Sequence, residues 1–176
     1  ASTDLFGMAS MTIGRQALSY GSGALMSTND WSADRTTWDG MSFGLGLSDM
    51  ADITIGYHAQ NLGGTTDEAG VFTAGDVDGS GNMHVNVAGE FSGWNVNVLY
   101  MTDEGTDDAA TGIDISGALM GATISASMNT DFDGDEMTSY DLAYAVNDDM
   151  SVSIGMASYG DDAGFNMAGT NMDGSW

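Results

Sequence analysis

The chain has 176 residues, with 26 Asp and Glu against two Arg, no Lys, no Pro, no Cys and a net charge of −24. Nucleic-acid binding is excluded, because it needs clustered Lys and Arg to replace counterions, and so are a disulfide framework, a Cys-based zinc site and a thiol nucleophile. Apolar residues at 42 % are too many for an acidic disordered chain, and the length suits one domain over 1–176.

No stretch offers about 18 consecutive apolar residues, so no transmembrane helix is expected. Ala1-Ser2 suits a start left by signal cleavage at small residues. The first two predicted strands cover 5–20 and 36–47, joined by a long connection over 21–35. After a tight turn at 48–52, Ile53, Ile55 and Tyr57 alternate with Thr54, Gly56 and His58 in a strand over 53–60. A long connection, 61–82, leads to a strand over 83–91, where Met83, Val85 and Val87 alternate with His84, Asn86 and Glu90. Ser92-Gly93 turns the chain into 94–101, with Trp94, Val96 and Val98 on one face. The connection 102–110, the strand 111–119, the turn Met120-Gly121 and the strand 122–129 follow. The connection 130–136, the strand 137–146, the turn 147–150, the strand 151–159, the connection 160–163 and a strand over 164–176 complete the series.

Period-two alternation without sustained helical spacing predicts an all-β chain. Short and long connections alternate, so an antiparallel meander gathers tight turns at one end and long loops at the other. Most of the acidic residues fall in those connections. This asymmetry predicts an up-and-down β-barrel of about ten strands, within a range of 8–12, with short turns at one end and long acidic loops at the other. A soluble acidic β-domain, secreted or at the cell surface, is the other architecture that the alternation alone fits.

Some residues stand out chemically. Glu90, Asp114 and Asp141 fall on the small polar face of their strands and would line a barrel interior. His58 and His84 occupy polar faces of strands joined by one long loop, as interior residues able to face each other. Arg15 and Arg35 are the only permanent cations. Arg15 is a second kind of interior candidate or a partner of Asp39, since a guanidinium holds a carboxylate bidentately; Arg35 and Asp39 are candidates to anchor the first long loop. Asp76, Asp78, Ser80 and Asn82 follow the opening of a calcium loop, with Gly81 at the sixth position. Position twelve is Val87, where a bidentate Glu is expected, and a strand follows in place of a helix. Ca²⁺ is thus the cofactor that the loops suggest. Methionine, 14 residues, is expected to fill apolar faces. No Ser/His/Asp order, nucleophile elbow or phosphate loop occurs, so an enzyme is not expected.

The run from Ile13 to Asp39 carries a resemblance. Its ordered set of Gly14, Arg15, Gln16, Tyr20, Gly21, Asp30, Trp31, Arg35 and Asp39 resembles Gram-negative outer-membrane porins, closest to alginate-export-like and related specific porin barrels. Trp176 matches the terminal aromatic of many such barrels. The resemblance implies a closed barrel in the cell outer membrane, in contact with lipid, that passes small solutes. Those barrels are longer, and two arginines scarcely make a basic pore. The expectation is therefore a reduced porin-like barrel with passive diffusion of small hydrophilic solutes or cations. The alternative is a non-conducting structural or interaction subunit, a homo-oligomer or part of a larger surface assembly, joined through calcium-binding loops.

Overall fold

Alternating apolar and small polar side chains satisfy an extended backbone only when its N–H and C=O groups pair with a neighbour, and the chain pairs almost all of its alternating segments in sequence order. The computed structural model describes residues 1–5, 9–28, 37–47, 50–59, 65–66, 72–73, 81–103, 108–147, 149–160, 166–167 and 170–171. The strands among them are β1 (Ser2–Leu5), β2 (Ala9–Gln16), β3 (Trp38–Leu47), β4 (Ala51–Ala59), β5 (Thr65–Thr66), β6 (Phe72–Thr73) and β7 (Gly81–Phe91). They continue as β8 (Trp94–Asp103), β9 (Ala109–Leu119), β10 (Ala122–Thr130), β11 (Glu136–Asn147), β12 (Met150–Tyr159), β13 (Asn166–Met167) and β14 (Thr170–Asn171).

Ten of these strands form one antiparallel up-and-down sheet in the order β1-β2-β3-β4-β7-β8-β9-β10-β11-β12. The pairs β5–β6 and β13–β14 stand apart as two-stranded ladders. Two hairpins close through two-residue turns with both φ angles positive, Ser92-Gly93 at 54° and 82° and Met120-Gly121 at 53° and 82°. Such turns match the twist of the strands they join. Eight expected strands, from 36–47 to 151–159, are present within a few residues of their predicted limits. Two differ. The segment 5–20 is a hairpin, Ser2–Leu5 on Ala9–Gln16, followed by non-strand chain. The described part of 164–176 pairs only with itself, so the tenth strand of the sheet is β1.

Directly paired residues of an antiparallel ladder share a face, so the register sorts every side chain. One row runs Leu45, Ile53, Val87, Val98, Ile113 and Met128 across β3 to β10. Another runs Phe91, Trp94, Gly117, Ile124, Leu142 and Ile154. This face is apolar and open: Ile113 is 53 % exposed and Ile154 70 %. The opposite face is polar and, over the long-loop half of β4 to β10, covered: His84 is 1 % exposed, Asn86 and Ser127 each 4 %. Residues 17–28, predicted as strand end and outer loop, do the covering. They fold back onto the polar face, where Met26 packs with Leu99, Met101 and Ala110, and Ala24 with Met137.

Candidate functional site

The polar face is built in rows that run across the strands. Nearest the tight turns, Glu90, Asn95, Ser116, Ser125 and Asp141 are successive partners from β7 to β11. The next row is Asp52, Ala88, Asn97, Asp114, Ser127 and Ser139. Together these rows line a cavity of about 670 Å³ that carries four carboxylates, Asp52, Glu90, Asp114 and Asp141. Among the described residues no arginine lines it. Ser127 fixes one of the four: its hydroxyl donates to Asp114 Oδ1 at 2.5 Å and lies 3.0 Å from Ser22 Oγ, while Asn129 Nδ2 donates to it at 2.7 Å. Carboxylates gathered along one concave wall concentrate negative potential, which favours cations over anions.

Toward the long-loop end the wall changes character. Asn86, Leu99, Gly112, Asn129 and Met137 form a third row, and Gly56, His84, Met101 and Ala110 a fourth. Segment 17–28 sits on both. It is a compact reversal, with the Tyr20 N–H donating to the Met26 carbonyl at 3.1 Å and the Gly23 N–H to the Tyr20 carbonyl at 3.0 Å. Its lowest point is Gly21, at φ +56°, where a side chain would collide with Asp114 and Asn97. Tyr20 Oη lies 3.2 Å from His84 Nε2. Burial pushes the Tyr20 phenol above its ordinary value, against an opposing hydrogen bond with Thr54.

His84 Nδ1 lies 2.6 Å from His58 Nε2, and the two rings are within 7° of parallel with centroids 4.5 Å apart. One imidazole donates to the lone pair of the other, and Tyr20 extends the chain. Gly56 makes the pair possible, because any side chain there would overlap the His84 ring. The pairing leaves His58 Nδ1 buried without a partner, as are Asn82 Oδ1, Asn86 Oδ1 and Asn97 Nδ2.

The candidate residues thus separate. Glu90, Asp114 and Asp141 meet in one cavity, and His58 and His84 meet in one hydrogen bond. Arg15 shares the opposite, apolar face with Ile13 and Met41, toward the long-loop end. Its Nε and Nη2 donate to Asp39 Oδ1 and Oδ2 at 3.1 and 3.0 Å, with both side chains exposed. Arg35, Asp76, Asp78 and Ser80 lie outside the described residues; Asn82 stands in β7. No group of three or more His, Asp or Glu side chains suited to a metal ion occurs among the described residues. The acidic turn after β10 is closed on itself, since Asp131 Oδ1 accepts the N–H groups of Asp133 and Asp135 at 3.1 and 2.9 Å.

Two parts of the site were not read from the sequence. The sequence places Asp52 in a tight turn, although it continues the alternation Thr54, Gly56, His58 by one step. The folded-in segment carries its own signal in Leu25 and Met26, apolar residues inside a connection predicted to be an outer loop. No protein-family profile matches the chain, and no curated protein matches it in sequence.

Proposed function

We propose that the sheet closes into a barrel embedded in an outer membrane, with lipid against its Val/Ile/Tyr/Met face, and that its acid-lined interior passes small cations and small hydrophilic solutes passively. The observation that carries this reading is the inverted polarity of the sheet. A protein folded in water buries its apolar face and hydrates the polar one; here the apolar face is open along the sheet and the buried side chains, among them His58, His84, Asn86, Ser127 and Asn129, lie on the polar face. Strand length agrees, because β3, β4 and β7 to β12 have nine to twelve residues and a membrane strand needs about 9–11. An even ten-strand meander also sets β1 and β12 antiparallel, the arrangement that joins the two ends of a barrel and removes its edges.

The carboxylates of Asp52, Glu90, Asp114 and Asp141 supply the selectivity, since a ring of acids lowers the energy of a cation in a pore and raises that of an anion. The test is a planar bilayer holding the purified protein under a potassium chloride gradient. The expected reversal potential has the sign of cation permeation, and it moves toward zero in the Glu90→Gln, Asp141→Asn double variant. A reversal potential favouring chloride removes the cation reading. One observation favours a second reading: the apolar cluster of Met26, Leu99, Met101 and Ala110 fills the long-loop half of the interior. A structural barrel with a sealed lumen gives no conductance in the same bilayer.

A further inference from the structure

We infer that residues 18–27 are a displaceable plug, seated on the polar wall in a state that the wall itself disfavours. The segment belongs to none of the sheet ladders, and its backbone bonds from Tyr20 and Gly23 close within the segment itself. It is held by apolar contact, chiefly Met26 against Leu99, Met101 and Ala110, and by side-chain links to the wall that include Tyr20 to His84 and to Thr54 and Ser22 to Ser127.

Seating it has a cost that is visible beneath it. Asn97 Nδ2 lies against Gly21 and has neither solvent contact nor a hydrogen-bond partner. Asn86 Oδ1 is in the same condition. Asn86 is 4 % exposed and is flanked in its row by Thr54 and Leu99; Thr54 is hydrogen-bonded to Tyr20, and Leu99 belongs to one buried cluster with Met26. A buried donor or acceptor left without a partner bears its full desolvation penalty, and water satisfies both groups once the segment lifts. Apolar burial and polar desolvation therefore oppose each other across one interface. That is the condition for a two-state element with two accessible positions. Lifted, the segment uncovers the rows above the acidic cavity and joins that cavity to the long-loop end. Its role as a gate rests on the barrel reading above; its displacement does not.

Hydrogen exchange followed by mass spectrometry tests it, in whichever medium keeps the full chain folded. The amides of Tyr20 and Gly23 are expected to exchange at least about tenfold faster than the ladder amides of β8 and β9. Asn86→Leu, which removes an unpartnered polar group at similar volume, slows exchange in the segment by about threefold or more while ladder amides hold their rates. Met26→Ser accelerates it. Asn97→Leu gives an independent second reading of the same effect. Segment and ladder amides exchanging together in the wild type overturn the inference, as does a leucine at 86 or 97 that leaves segment exchange unchanged or faster in a folded protein. A chain that stays folded without detergent ends the membrane reading and leaves this comparison intact.

Discussion

Val98 is the residue on which lipid and water make opposite demands. It sits mid-strand between Val87 and Ile113 on the open apolar face, and it is itself exposed. In lipid, Val98→Arg is expected to destabilise by about 2–4 kcal/mol, whereas an arginine at Ser153 on the polar face of β12 costs far less. On a water-facing surface both changes stay within about 0.5 kcal/mol. Chemical unfolding of the two variants in the same micelles reads the difference. Residue roles were legible where alternation fixes a face: Glu90, Asp114 and Asp141 share phase with Asn and Ser, and the register brings them to one cavity. Arg15 was legible as a partner of Asp39 and not as to face. It is in phase with Ile13, but as one of two cations in the chain it invites an interior role on charge alone.

Among the elements, the Met120-Gly121 turn is strained, as is Ser92-Gly93. Met120 holds φ at 53° and is 96 % exposed, so its side chain gains no packing in return for a left-handed backbone. Met120→Asn is expected to stabilise the β9–β10 hairpin by about 1 kcal/mol, measured as a raised unfolding midpoint, because Asn tolerates that conformation. The turns Ser92-Gly93 and Met120-Gly121 and the strands β3, β4 and β7 to β12 could be read because each strand alternates cleanly and each of these turns carries Gly at its reversal. The first hairpin could not. Leu5 and Ala9 are partners four positions apart, so the period-two pattern runs in phase through the reversal and imitates one long strand. Residues 17–28 escaped for another reason. Connections are usually polar and external, and only their contacts with Met101 and Met137 reveal that Met26 and Ala24 are core residues.

For the whole molecule, the arrangement of polarity matters more than any single contact. Buried apolar side chains among the described residues are few and mostly under the folded-in segment: Ala24, Met26, Leu99, Met101, Ala110 and Met137. Most of the long apolar side chains of β3, β4 and β7 to β12 lie on the exposed face, with Tyr100, Tyr140 and Tyr144 among them. A chain with a charge of −24 and so few buried apolar side chains has little core to hold it in water; on the proposed reading, lipid supplies the missing apolar surroundings. The central claim is tested most directly by extracting the protein from membranes and comparing its gel migration in SDS with and without boiling. The account predicts that extraction needs detergent, and that the unboiled protein runs as a compact band which shifts to the unfolded position on boiling, because a closed strand ladder resists SDS until heated. A protein recovered as a monodisperse species without detergent, migrating identically before and after boiling, would contradict it.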